Sequence, residues 1–260
     1  MWGCQALQTT RDSRVTSTKR PPVQTRSGWR DWLGGFFTSS IGLKWIMAIT
    51  GIGLLGYVAA HLFGNLKIFT GTDAAGEYYI DLYSEALWHL GGHLLPGGFL
   101  LTVLRIGLAA AFILHIWSAA VLTKRNRVAM GSTRYQASRN WAASNYASRT
   151  MRFGGIIILL FLLYHLADLT LGWANPDFHH GDVFDNMIAS LSRWPVAVLY
   201  MVANVALAFH IYHGSWSLFQ SLGSANPKYN SLRRGFATVF AAVILVGNLS
   251  IPIAILAGWV

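Results

Sequence analysis

Five long runs of apolar residues, nearly free of charge, constrain this 260-residue chain more than any other feature. Residues 45–66 are uncharged, residues 97–123 carry only Arg105, and residues 153–173 carry only Asp168. Residues 194–220 hold no Asp, Glu, Lys or Arg, and residues 235–260 are uncharged to the last position. A helix rises about 1.5 Å per residue, so about 20 apolar residues cross the hydrocarbon core of a bilayer. Backbone amides in lipid must find partners within their own segment, which favours helices for separate runs of this length. The expected fold is an all-α membrane protein of five transmembrane helices, spanning residues 43–66, 97–123, 153–174, 194–220 and 235–258. Only 12% of residues are charged, about half the share found in soluble domains.

The charges that remain give an orientation. The N-terminal region up to Lys44 holds seven Lys or Arg residues. Seven more fall between the second and third spans (Lys124, Arg125, Arg127, Arg134, Arg139, Arg149 and Arg152), and Lys228, Arg233 and Arg234 follow the fourth. This puts 17 of the 20 basic residues on one side, which the positive-inside rule makes cytoplasmic. The N-terminus is then expected inside and the C-terminus outside. The outer loops hold Lys67 and Arg193 together with the acids Asp73, Glu77, Asp81, Glu85, Asp177, Asp182 and Asp185. The net charge of +10 thus reads as loop topology, with no nucleic-acid partner expected. Within the first outer loop, residues 78–88 mix aromatics and acids as an interfacial amphipathic helix would.

Residues 1–35 read as a flexible basic tail, and residues 36–260 as the membrane domain. The tail is not a signal peptide, since the apolar segment after it is too long and lacks a plain cleavage site. Cys4 is the only cysteine. One thiol forms no internal disulfide, no C-x-x-C-H haem attachment and no iron–sulfur site, so any haem is expected to be non-covalent.

Five of the nine histidines fall inside spans: His61, His115, His165, His210 and His213. Ionisable groups inside a membrane are expensive and point to function. On the first span, which runs outward, His61 lies roughly 9 Å from the outer end; on the third, His165 lies roughly 15 Å from it. On the second and fourth, which run inward, His115 and His210 lie roughly 14 and 15 Å from the inner end. His61 and His165 therefore share the outer half, and His115 and His210 the inner half. Two bis-histidine pairs at two depths suit two stacked b haems, each iron taking one neutral imidazole on each face. Gly51, Gly53, Gly56, Gly154 and Gly155 leave room for a flat macrocycle, or for ordinary helix packing. Spacing alone does not separate His210 from His213.

These residues resemble the single-chain, two-haem cytochrome b anchor of succinate:quinone oxidoreductases, over roughly residues 43–260. His61-Leu62-Phe63-Gly64-Asn65 is similar to that family's His-Leu-x-x-Asn, Leu114-His115 with Lys124-Arg125 to its second ligand and basic exit, and Tyr164-His165-Leu166 to its third. Tyr200 stands ten residues before His210, and Gly214-Ser215-Trp216 follows it, as in the family's fourth ligand motif. The resemblance selects His210 as ligand and leaves His213 near a propionate or simply packed. It implies two haem b groups, His61 and His165 holding the outer iron and His115 and His210 the inner. It implies an iron–sulfur subunit and a flavoprotein with covalent FAD on the cytoplasmic face, docked on the loops 124–152 and 227–234. Succinate is oxidised in that flavoprotein, and this chain passes electrons to a quinone, expected to be menaquinone, in a bacterial cytoplasmic membrane. The complex can form a higher oligomer. Some fumarate reductases of the family carry Glu two residues before the fourth ligand; Ala208 stands here, which favours succinate dehydrogenase.

Arg105 needs an anion, expected to be an outer haem propionate or else Asp168. Asp168, Tyr164 and Glu77 are the candidates for proton exchange at a quinone, with Asp81 and Glu85 behind them. His89, His93, His179 and His180 lie in outer loops, where solvation or a propionate contact is expected. Two rival readings remain. One is a two-haem membrane cytochrome of a formate dehydrogenase, hydrogenase or nitrate reductase. The other is a haem-free transporter with a histidine proton path.

Overall fold

The computed structural model describes residues 28–130, 141–224 and 226–260, with the backbone alone for residues 130 and 141–150. The described residues form eight α-helices: α1 (Trp29–Thr38), α2 (Ser40–Asn65), α3 (Tyr79–Trp88), α4 (Phe99–Met130), α5 (Trp141–Leu169), α6 (Val183–Leu191), α7 (Trp194–Ser221) and α8 (Asn230–Leu256). Five of them, α2, α4, α5, α7 and α8, carry stretches long and apolar enough to cross a membrane. The protein is an all-α, multi-pass membrane protein, and each expected span falls on one of these five helices.

The helix ends depart from the apolar runs for local reasons. α4 continues through Lys124, Arg125 and Arg127, because long basic side chains reach water without breaking a helix. α8 likewise takes in Arg233 and Arg234. α5 stops at Leu169, short of residue 174, and the chain turns at Gly172 with φ of 70°. A Cβ there would lie 2.4 Å from a Phe178 ring carbon, so the turn requires glycine. Of the tail expected over residues 1–35, residues 1–27 (Cys4 included) lie outside the described part, whereas residues 29–35 belong to α1. Ser39 separates α1 from α2 and caps α2, its hydroxyl accepting from the Gly42 amide at 2.9 Å. Arg125 donates to the Thr38 carbonyl at 2.8 Å and to the Ser40 hydroxyl at 3.3 Å, tying this corner to the far end of α4.

Packing is closest between α7 and α8, where Ala197, Ala203, Ala237, Ala241 and Ala254 are buried. Small residues let helices approach when lipid supplies no hydrophobic drive between them. α2 packs along α4 and also touches α7 and α8; α5 packs along α7. α2 and α5 do not pack closely on one another, nor do α4 and α7, nor α4 and α5. Helices α2, α4, α5 and α7 therefore form a four-sided arrangement with α2 facing α5 and α4 facing α7 across its diagonals. α8 lies outside it, against α7 and α2.

One end of the bundle is closed by α3 and α6. Ile80 of α3 and Met187 and Leu191 of α6 join Ile68, Tyr200, Ile251 and Ile255 in one buried cluster. The Tyr78 and Phe184 rings stack at 3.5 Å. Asp81 Oδ1 accepts from the Val183 and Phe184 amides at 2.7 and 3.0 Å, so α3 supplies the cap that α6's own Asp182 does not. The amphipathic helix expected over residues 78–88 is α3; α6 was not expected. Asp81→Ala orphans two helix-terminal N–H groups and is expected to cost about 1–2 kcal/mol. Hydrogen exchange should accelerate at Val183 and Phe184; unchanged protection there would contradict the cap.

Candidate functional site

Each diagonal of the bundle is bridged by a pair of imidazoles. His61, one turn before the end of α2, meets His165 of α5 with ring centroids 5.8 Å apart and planes inclined by 54°. His115 of α4 meets His210 of α7 at 6.4 Å and 64°. The first pair lies toward the α3/α6 end and the second toward the end carrying α1. His213 faces the Tyr212 ring at 5.2 Å, so His210 and not His213 is opposite His115. Helices that do not pack on each other thus meet through their histidines.

The ring nitrogens can be assigned from their neighbours. Thr50 donates its hydroxyl proton to the Ile46 carbonyl at 2.7 Å, so its oxygen can only accept from His115 Nδ1 at 3.3 Å. Tyr200 donates its proton to Asp168 Oδ2 at 2.8 Å, so its oxygen likewise accepts from His165 Nδ1 at 3.3 Å. The proton sits on Nδ1 in both rings, and Nε2 keeps a lone pair. The Asn65 amide lies 2.7 Å from His61 Nδ1, and its oxygen accepts an Nδ1–H after a half-turn that leaves its shape unchanged. His210 Nδ1 is buried with no hydrogen-bond partner by distance and angle, and the backbone of Met151 is close to the ring.

This arrangement fits an axial metal site. Two metal–imidazole bonds of about 2 Å each set ring centroids roughly 6 Å apart. Each pair would supply two imidazole nitrogens to such a metal. Gly51 and Gly155 flank the His115–His210 pair: a Cβ on Gly51 would sit 3.5 Å from His115 Cε1, and one on Gly155 would sit 3.8 Å from His210 Cε1. Larger side chains there would push against the imidazoles. The residues present fit a haem held at each pair.

Beside the first pair lies a buried acid. Asp168 is fully buried and accepts from Tyr200, from the Ser190 hydroxyl and from Arg193 Nη2, the last as an ion pair at 2.8 Å. Arg193 also donates to the Ala174 carbonyl at 2.9 Å. The expected alternative partner of Asp168, Arg105, is corrected here. Arg193 stands just before α7, which packs along α5, whereas Arg105 is on α4, which does not. Asp168 is accordingly a fully buried anchor of Tyr200, with no direct contact with solvent. Tyr164 packs partly buried beside it, its ring 6.3 Å from that of Tyr200.

Arg105 instead lines an open cleft of about 630 Å³ with Glu77, Asp81, Glu85, Trp88 and His89. It makes no ion pair or hydrogen bond to another described residue, but lies within electrostatic reach of Tyr57, whose ring meets His61 edge-on at 5.4 Å. Burial pushes the Asp81 carboxyl up, against the pull of the Val183 and Phe184 amides. Of the other loop histidines, His180 meets the Phe178 ring, and the His179 backbone is bonded to the Asn186 side chain. His93 lies in the short turn Gly92–Leu94.

Thr50, Ser190 and Arg193 escaped the reading of the sequence, and Tyr200 entered it only through its spacing from His210. One signal was present: a carboxylate in an apolar run demands a cation, and Arg193 is one of two basic residues outside the spans on that side. Arg193→Leu leaves Asp168 buried without its counter-ion and is expected to destabilise the protein by roughly 3 kcal/mol. A lowered midpoint of thermal unfolding in detergent would show this; an unchanged midpoint would show that the pair is not needed.

Residues 123–249 match the family model for the succinate dehydrogenase/fumarate reductase transmembrane subunit. That stretch runs from the end of α4 into α8 and holds His165, His210, Asp168, Arg193 and Tyr200; His61 and His115 precede it. No curated protein matches the chain. No solved structure matches it either. Over residues 123–249, just under half of its length, this chain is similar to the succinate dehydrogenase/fumarate reductase transmembrane subunit family, which supports a membrane-anchor role.

Proposed function

We propose that the chain is the cytochrome b subunit of a bacterial succinate dehydrogenase, holding one haem b between His61 and His165 and a second between His115 and His210. The carrying observation is that imidazoles meet pairwise across both diagonals, with Nε2 left free by the partners of Nδ1. When bound, the two haems supply stepwise one-electron transfer between an iron–sulfur subunit and a quinone. The chain's own residues fix tautomer and ring orientation and keep each metal-binding nitrogen in an apolar setting. Ala208, buried two residues before His210, offers no carboxylate for proton transfer at the inner pair, which favours succinate oxidation.

The orientation inferred from the loops makes the α3/α6 end the outer one. The cleft there, beside His61 by way of Tyr57 and Arg105, is the proposed quinone site. Glu77, exposed on that cleft, is better suited than Asp168 to exchange a proton with water. Arg105, which has no ion pair among the described residues, supplies a cation for a quinone carbonyl or a haem propionate. At the opposite end the exposed Lys124, Arg127, Lys228 and Arg234 remain for a soluble partner carrying iron–sulfur clusters and FAD. Arg125 and Arg233 hold α1 and the 224–230 turn instead. Arg134 and Arg139 lie outside the described residues.

A reduced-minus-oxidised spectrum of the purified complex should show b-type haem, and its absence would sink the proposal. His115→Ala or His210→Ala should remove the inner haem alone, and His61→Ala or His165→Ala the outer alone. Equal loss of both signals in every variant would break the pairing. Co-purification of a flavin-free dehydrogenase would favour the rival two-haem cytochromes.

A further inference from the structure

We infer that Tyr200 and Asp168 are positioning residues that set the donor strength of His165, and with it the redox potential of the outer haem alone. This rests on the two-haem reading above. The hydrogen bonds run in one direction. His165 Nδ1–H is donated to the Tyr200 oxygen at 3.3 Å, and the Tyr200 O–H to Asp168 Oδ2 at 2.8 Å. Asp168 Oδ1 takes its remaining charge-assisted bond from Arg193 at 2.8 Å. Asp168 is fully buried and Tyr200 only 7% exposed, so the chain lies in a medium where such bonds polarise one another. A carboxylate drawing on the phenol proton makes the phenol oxygen a better acceptor. A better acceptor at Nδ1–H pushes electron density toward Nε2, the nitrogen that faces the metal.

The other three histidines lack this support. Behind His115 stands a neutral threonine hydroxyl, itself bonded to a backbone carbonyl. Behind His61 stands a neutral amide, and His210 Nδ1 has no hydrogen-bond partner. A charged group lies behind His165 alone. A stronger donor stabilises ferric over ferrous iron, so the chain lowers the outer potential relative to the same site without it.

A purely structural account is available: the network neutralises a buried acid and fastens α5 to α7. The two accounts differ in what happens when one oxygen is removed. Tyr200→Phe keeps the ring contacts with Phe161 and Tyr164 and leaves the Asp168–Arg193 pair and the Ser190 hydroxyl in place. The test is redox potentiometry of the purified complex, following each haem by its α band and its low-spin EPR signal, with the haems assigned by the histidine variants.

Tyr200→Phe should raise the midpoint of the outer haem and leave the inner one unmoved. Asp168→Asn should raise it further, because Arg193 then stands uncompensated nearby. The inference is overturned if Tyr200→Phe retains the outer haem at its original midpoint, if both haems shift alike, or if that variant loses the outer haem outright. The last result would make the hydrogen bond a scaffold. Should Asp168→Asn fail to assemble, Tyr200→Phe decides alone. A wild-type complex with no haem spectrum would overturn the two-haem reading instead, so the two failures are distinct.

Discussion

An imidazole in the hydrocarbon region has two nitrogens to satisfy and no water to satisfy them. Four such rings, two on each diagonal of one bundle, make a demand that the rest of the structure is arranged to meet. Thr50, Asn65 and Tyr200 engage the Nδ1 side of three of them, and the rings of each pair meet across the gap. The gap itself depends on which helices pack. α4 leans on α2 and α5 on α7, and closure across the diagonals falls to the histidines. Small residues concentrate where α7 meets α8, so the tight part of the bundle lies beside the site and holds one of its walls.

Asp168 and Arg193 show the same demand for a carboxylate. A buried anion is tolerated only with its charge matched and its lone pairs occupied. Here a guanidinium, a hydroxyl and a phenol perform that task together. The phenol carries the influence of the charge onward to His165. The two pairs therefore differ in character although each consists of two imidazoles. One is backed by a charged network at the end closed by α3 and α6, and the other by neutral groups and glycines.

The cap at that end has its own logic. Asp81 binds the start of α6, the Tyr78 and Phe184 rings stack beneath it, and a shared apolar cluster fastens both helices to α7 and α8. The cleft lined by Glu77 and Arg105 opens beside this cap, near Tyr57 and His61. An exposed carboxylate, a guanidinium with no ion pair among the described residues and the His61 imidazole are thus gathered at one end of the bundle.

Much of this was legible in the residues. Apolar length alone determined five spans, because a bilayer accepts few other solutions, and the depth of each histidine followed from helical rise. The same arithmetic brought His61 near His165 and His115 near His210. Helix ends were less legible, since basic residues extend α4 and α8 beyond their apolar runs and Gly172 stops α5 early. Side-chain partners between helices were not legible at all. Arg105 and Arg193 are both cations near an apolar run, and only the packing of α5 against α7 decided that Asp168 pairs with Arg193. Depth along a helix is a one-dimensional quantity that sequence spacing carries; rotation and neighbour choice depend on side-chain packing between segments far apart in the chain. The sequence alone therefore determined the five spanning helices and the level of each imidazole, and the tertiary structure decided which groups stand behind them.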